Sequence, residues 1–271
     1  MTYKMIVLDM DDTLLQDDHS ISQRTIEALM SAQERGVKVV LASGRPSYAM
    51  HDYADQLKLA DYGSYILSFN GAKIINCKTK EEIFGQSLPP ETVHQLVDLS
   101  HQENVGIHTY VGDTIVTEKA NEYSDVEAHL TGLPIVIADL KEAVTEPVVK
   151  VLMLEAPEHL IPVEEKLKQQ LGEELSIMRS KPFFLEFMPA GVSKGTSLAH
   201  LIEQLGITRE EVIAMGDSYN DLEMIEFAGL GIAMGNAPDD IKEKADYVTD
   251  TNKNDGVAKA VEEFVLQPVT E

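Results

Sequence analysis

Short apolar runs rich in β-branched residues alternate with segments of helical period along the first eighty or so residues. Met5 to Leu8 is apolar throughout and of strand length, Ser22 to Arg35 spaces its apolar residues as a helix does, and Val37 to Leu41 is a second apolar run. Ser20 or Ser22 can accept from the first free amides of that helix, and Gly36 stands where a helix end needs a left-handed residue. This βαβ opening predicts a parallel sheet with right-handed crossovers. Pro46 to Leu59 then reads as a helix and Tyr65 to Phe69 as the third strand, and Asn70-Gly71 is a hairpin signal leading into Ala72 to Asn76.

From about Glu81 to Pro189 the pattern changes to paired strands between helices: Val105 to Thr109 with Asp113 to Thr117, then Lys150 to Glu155, Leu175 to Arg179 and Phe183 to Phe187. That is an α+β pattern with an antiparallel sheet. After Gly191 the alternation resumes with helix Lys194 to Leu205, strand Val212 to Met215, helix Asn220 to Phe227, strand Leu230 to Ala233 and a closing helix near Gly256 to Phe264. The expected architecture is α/β: a Rossmann-like parallel-sheet core from residues 1–81 and 190–271, interrupted by an α+β domain over 82–189. Short hinges are expected near Glu82 to Ser87 and Met188 to Gly191.

Composition narrows the partners. A chain of 271 residues with 44% hydrophobic and 25% charged content can bury a large core and is not of disordered type. Its 22 basic against 46 acidic side chains give a formal charge of -24, a field that repels nucleic acid and anionic lipid. An anionic substrate would need a local cation to reverse that sign. Cys77 is the only cysteine, so no internal disulfide forms and a cytoplasmic location is expected; in Ile74-Ile75-Asn76-Cys77 it reads as strand packing. Met1 to Leu8 is too short for a secretory apolar region, and stretches such as Val148 to Leu154 fall short of the ~20 residues of a spanning helix, so no membrane association is expected. The eight histidines are dispersed without metal-site spacing.

Candidate chemistry gathers at strand ends. Asp9-Met10-Asp11-Asp12-Thr13-Leu14 follows the first strand, at the edge of a parallel sheet where ligands bind. Carboxylates this close repel one another and persist with a cation or by protonating. Leu41-Ala42-Ser43-Gly44-Arg45 ends the second strand, where a hydroxyl and a loop N–H can hold phosphate oxygens. Gly191-Val192-Ser193-Lys194-Gly195 opens a helix and offers Lys194 beside exposed amides. Gly216-Asp217-Ser218-Tyr219-Asn220-Asp221 ends a further strand. Singly these are an acidic turn, a strand-to-helix loop, a surface lysine and an Asx turn; in this order they point to one site.

Together the four segments resemble the haloacid dehalogenase superfamily of aspartate-nucleophile phosphatases, over essentially the whole chain, and the insertion resembles the larger α/β cap of its Cof-type subgroup, which includes sugar phosphatases. The resemblance implies a Mg²⁺-dependent phosphatase acting on small phosphorylated metabolites, with the phosphoryl group passing through Asp9 as nucleophile and Asp11 as acid/base. It implies Mg²⁺ ligation by the carboxylates of Asp9 and Asp217 and the carbonyl of Asp11. Met10 and Gly44 amides, Ser43, Lys194 and Asn220 would hold phosphoryl oxygens; Asp221 would lie behind the metal ligands, and Arg45 would reach the leaving group. Many relatives have Gly where this chain has Asp12, which tolerates left-handed backbone, and Thr13 is expected to bond within the turn. A phosphomutase of the same superfamily is the alternative. Arg179 is the only arginine between Glu81 and Pro189, too few for a cap that must rebind a second phosphate, and this favours hydrolysis. A receiver-type phosphoacceptor fits poorly, since its aspartate follows the third strand, where this chain has Phe69-Asn70.

Overall fold

The structure, a computed structural model, describes residues 3–267. Its first strands are apolar on both faces, which a sheet covered by helices on two sides requires. β1 (Met5–Leu8) is buried at every position and pairs in parallel with β2 (Lys38–Ala42), Leu8 opposite Leu41. The crossover is α1 (Gln23–Glu34), where Ser22 accepts from the Thr25 amide at 3.2 Å. α2 (His51–Gln56) is shorter than the helix expected over Pro46 to Leu59, because Ser47–Met50 winds as a tighter 3-10 turn before it. β3 (Tyr65–Ser68) joins β2 in parallel, and β4 (Lys73–Asn76) returns antiparallel through a turn at Phe69–Gly71. β5 (Glu82–Gly85) extends this sheet antiparallel to β4, with a Lys73–Glu82 ion pair of 2.7 Å between the two. Residues 82–85, read from the sequence as the start of the insertion, are thus core strand; four residues, none of them fully buried, carry no apolar alternation that would reveal them.

The inserted stretch holds α3 (Pro90–Glu103), β6 (Gly106–Val111), β7 (Thr114–Thr117), α4 (Glu122–Thr131), β8 (Ile135–Ile137), α5 (Leu140–Ala143), β9 (Val151–Leu154), α6 (Pro157–Leu171), β10 (Leu175–Lys181) and β11 (Phe184–Pro189). Its strands form a sheet in the order β10-β11-β9-β6-β7-β8. The sheet is not wholly antiparallel as expected: α4 serves as a crossover, so β8 lies parallel to β7. One face, with Ile107, Val151, Met153, Leu185 and Phe187, packs on Leu96 of α3 and Leu160 and Leu167 of α6.

α7 (Lys194–Leu205), β12 (Val212–Gly216), α8 (Leu222–Phe227), β13 (Leu230–Ala233), α9 (Asp239–Lys242), β14 (Tyr247–Val248) and α10 (Gly256–Val261) complete the chain's elements. The core sheet runs β14-β13-β12-β1-β2-β3-β4-β5. Alternation along β1 divides its residues between two cores: Ile6 and Leu8 pack with α1 and α10, Met5 and Val7 with Leu198 and Leu201 of α7. The chain divides into two compact units, Met1–Gly85 with Ser193–Glu271, and Gln86–Val192, so the boundaries fall at 85/86 and 192/193, a few residues after those read from the pattern. Cys77 is buried directly after β4, where burial pushes its thiol up to about 11 and leaves it an inert packing group. Among the described residues no helix is long and apolar enough to cross a membrane.

Candidate active site

β12, β1, β2 and β3 are adjacent and parallel, so their carboxyl ends open on one edge of the sheet. The ladder continues just past the strands: the Asp9 amide donates to the Met215 carbonyl at 3.0 Å and the Ser43 amide to the Leu67 carbonyl at 2.9 Å. Register therefore sets Asp9 beside the Asp217 loop and Ser43 beside the end of β3. Lys194 enters as the first residue of α7, whose start is secured by the reciprocal bonds of Ser193 and Thr196, each 3.0 Å.

The Lys194 ammonium is fully buried and donates to Asp9 Oδ1 at 2.5 Å and Asp221 Oδ1 at 2.6 Å. Asp221 Oδ2 accepts from the Asp217 and Ser218 amides at 3.1 and 3.0 Å, which folds the loop round its own carboxylate. Gly216 permits this, since a Cβ there would stand 2.4 Å from the Asp221 Cβ. Thr13 Oγ1 donates to Asp217 Oδ1 at 2.8 Å. The expected bond of Thr13 within its own turn is thus replaced by one to the loop after β12, because β1 and β12 are neighbours and the hydroxyl faces that way. Asp12 adopts left-handed backbone, φ 61°, and Asn236 Nδ2 donates to its carbonyl at 2.8 Å.

Oxygens of Asp9, Asp217 and Asp221 lie within 4.8 Å of one another. Three carboxylates facing one ammonium leave an excess of negative charge in a dry place. Burial, followed by the Asp221 charge, pushes the Asp9 carboxyl well above the usual range despite Lys194. Burial likewise pushes Asp217 up to about 6, against the hydrogen bond from Thr13. Burial alone would lower Lys194, but Asp221 and Asp9 outweigh it and hold the ammonium charged. An all-oxygen set short of positive charge fits a hard divalent cation, so the residues present can hold a metal ion.

Asp11 stands apart from that cluster. Its carboxylate takes a two-pronged bond from Arg45, Nε to Oδ2 at 2.8 Å and a second nitrogen to Oδ1 at 2.5 Å. Burial alone would raise Asp11, yet the Arg45 bonds and charge outweigh it and hold the carboxyl below the usual range. Arg45 also lies over the Tyr53 ring, 5.4 Å from its centre. Met10 is buried beneath the turn, and Ser43, 1% exposed, accepts at Oγ from the Arg45 amide at 3.1 Å, so its hydroxyl proton remains to be donated. Gly44 follows it, and Asn220 Nδ2 donates to Asn70 Oδ1 at 3.0 Å. Asn70 and Asn236 were not singled out in the sequence. Asn70 carried a signal, the Asn-Gly hairpin, but it announces a backbone shape and not a side-chain partner.

Buried like charges of this kind weaken a fold, and groups so perturbed in one cluster mark a candidate functional site. Residues 6–261 match the family of haloacid dehalogenase-like hydrolases, and the chain belongs to it. It is similar to a haloacid dehalogenase-like hydrolase of Bacteroides thetaiotaomicron, 45% identical with a TM-score of 0.89 over 97% of this chain and 99% of that one. It is similar to the 5-amino-6-(5-phospho-D-ribitylamino)uracil phosphatase YcsE of Bacillus subtilis (strain 168), 35% identical over 97% of this chain and 96% of the relative. The subclass IIB sugar phosphatase BT4131 shares the fold at a TM-score of 0.82 and 28% identity, over 96% and 98% of the two chains. The protein is accordingly a phosphatase of the haloacid dehalogenase superfamily.

Proposed function

We propose that this phosphatase hydrolyses small phosphorylated metabolites, sugar phosphates foremost, with Mg²⁺ and through an aspartyl phosphate on Asp9. The observation that carries this is the contact of the buried Asp9 with Lys194 at 2.5 Å inside the acidic cluster. The ammonium lowers the repulsion between a carboxylate nucleophile and an anionic phosphoryl group. It also leaves the second Asp9 oxygen to attack. Mg²⁺ would be held by Asp9, Asp217 and the Asp11 carbonyl, and when bound it supplies positive charge to the phosphoryl oxygens. Asp221 fixes Lys194 and the Asp217 loop.

In the first half-reaction an Asp9 oxygen bonds to phosphorus as the bond to the leaving oxygen breaks. Asp11 delivers the proton that oxygen needs; in the second half it takes a proton from water attacking the same phosphorus, as the bond from phosphorus to Asp9 breaks and releases phosphate and the free carboxylate. Arg45 holds Asp11 ionised in the structure described here, so it must release Asp11 and turn to the anionic substrate before Asp11 can carry a proton. The Met10 and Gly44 amides, Ser43 and Asn220 hold the remaining oxygens. The inserted unit supplies discrimination among leaving groups. YcsE is named for a phosphoribityl compound and BT4131 is a sugar phosphatase, which supports phosphorylated polyols and sugars as the class. Hydrolysis is favoured over mutase chemistry because Arg179 is bound to Glu164 at 2.9 Å.

The test is a panel of phosphorylated sugars, polyols and nucleotides, with phosphate release measured in Mg²⁺ and in chelator. Metal-dependent turnover of sugar or polyol phosphates is expected. Equal turnover in chelator would overturn the metal assignment, and a protein inert on the whole panel would overturn the substrate class.

A further inference from the structure

The turn joining β3 to β4 is strained where it meets the proposed phosphate-holding loops. Phe69, Asn70 and Gly71 have φ of 51°, 55° and 93° in succession. Glycine takes such values freely and asparagine tolerates them, but an aromatic residue there is held by its surroundings against its own preference. Those surroundings are the other loops. The Asn70 amide donates to the Ser43 carbonyl and the Phe69 amide to the Arg45 carbonyl, both at 2.9 Å. Ser197 Oγ, on the first turn of α7 with Lys194, donates to the Gly71 carbonyl at 2.5 Å.

The Asn70 side chain, 3% exposed, sits at the centre of this arrangement. Its Oδ1 accepts from Asn220 Nδ2, 150 residues away, at 3.0 Å. Its amide also lies against Gly44, where an added Cβ would stand 3.2 Å from Oδ1 and 3.4 Å from Nδ2. A side chain at position 44 would thus crowd the Asn70 amide, which would have to give by a few tenths of an ångström. A turn asparagine needed only for its left-handed backbone could be replaced by glycine without consequence. These contacts give Asn70 a second duty.

We propose that Asn70 is a positioning residue for phosphoryl transfer, acting through Asn220. Its Oδ1 takes one Nδ2 hydrogen of Asn220 and thereby sets the carboxamide, leaving the other hydrogen for a phosphoryl oxygen. This rests on the reaction proposed above.

Asn70→Gly keeps the left-handed backbone and removes the amide, and Asn220→Ala removes its partner. With p-nitrophenyl phosphate, each is expected to lower kcat/KM by about 10- to 100-fold, and the double variant to fall within about threefold of Asn220→Ala alone, since residues acting as one unit do not multiply. The midpoint shift that Mg²⁺ produces in thermal unfolding should be unchanged in Asn70→Gly, because the bond that the variant removes is to Asn220 and not to a proposed metal ligand; a general loss of structure would shrink it. Multiplicative effects in the double variant, wild-type kcat/KM in Asn70→Gly, or loss of the Mg²⁺ shift would each overturn the assignment. If the wild type hydrolyses no phosphomonoester, the proposed reaction fails on its own. Asn70 is then decided by calorimetric titration of orthovanadate into Mg²⁺-loaded protein: non-additive weakening in the two variants upholds it, while additive or absent weakening, or no binding to the wild type, overturns it.

Discussion

Lys194 is fully buried between two carboxylates, and Lys194→Met tests both the stability it confers and the chemistry proposed for it. Methionine fills much of the volume and removes the charge. Two buried carboxylates, Asp9 and Asp221, then lose a cation that bonds them at 2.5 and 2.6 Å. Removing one partner of a buried ion pair typically costs about 3–5 kcal/mol. At about 2–4 °C per kcal/mol for a unit of this size, the midpoint should fall by roughly 6–20 °C at neutral pH.

The pH dependence carries the sign. In the wild type the Lys194 pKa is raised above 10.5, so its contribution is fully present below that value and is lost only as pH climbs through the higher folded value. Between pH 4 and 8 the protonation of Lys194 itself therefore adds no slope. In the variant Asp9, already raised by burial and then by Asp221, loses the charge that opposed those effects and rises further. A carboxyl raised in the folded state destabilises the fold as pH rises above its unfolded value, and does so more in the variant, where the carboxyl is raised further, so the deficit should grow between pH 5 and pH 8. Denaturant unfolding followed by circular dichroism in chelator, at both ends of that range, measures this. The same variant should bind Mg²⁺ more tightly, its cluster being more negative, and lose at least about 10³ in kcat. A deficit equal at pH 5 and pH 8, or a midpoint within about 1 °C of wild type at pH 8, would refute the burial and pairing assigned to Lys194.

Asp9→Asn should abolish turnover and keep the fold, since the amide oxygen still accepts from Lys194; steady-state phosphate release from a clean preparation would contradict the nucleophile assignment. Mg²⁺ should raise the unfolding midpoint of the wild type, and Asp217→Asn should remove most of that rise, as read by scanning calorimetry; an equal rise in both would place the metal elsewhere. His108 in the inserted unit is fully buried with both ring nitrogens unpartnered, and burial, aided by Lys150, pushes it down to about 3. A histidine depressed in the fold stabilises fully above its unfolded value and loses that contribution as pH falls, here between about 6.5 and 3 at up to about 1.4 kcal/mol per unit. His108→Leu should flatten this acid limb in unfolding titrations; an unchanged slope would show that His108 does not set it.

The core strands were legible because each is a run whose apolar side chains serve two faces, as Met5 and Val7 serve one core and Ile6 and Leu8 the other. β8 and α5 escaped notice because three and four residues are too few to show a period. Within the site, Asp9, Ser43, Lys194 and Asp217 could be picked out because each stands at a strand end or helix start, a place legible locally. Pairings could not. Thr13 reaches Asp217 across 204 residues and Arg45 reaches Asp11 across 34, and which partner a polar side chain takes is decided by strand order.

Strand order also explains how a site can be assembled from the two ends of a chain. Asp9 and Lys194 are 185 residues apart in sequence, with the whole inserted unit between them. Closing so long a connection is cheap, because the entropy cost grows as the logarithm of length, about 0.6 kcal/mol per doubling. The returning segment is fixed by pairing instead. β12 lies against β1 over four residue pairs, Met5 with Val212 through Leu8 with Met215, all of them buried. A slip of that pairing by one residue would turn each β12 side chain to the opposite core. The same register that satisfies the two cores carries Asp217 to the level of Asp9. Geometry at the carboxylates is thereby tied to packing several residues away, and an insertion that folds on its own core can vary in size and surface without disturbing it.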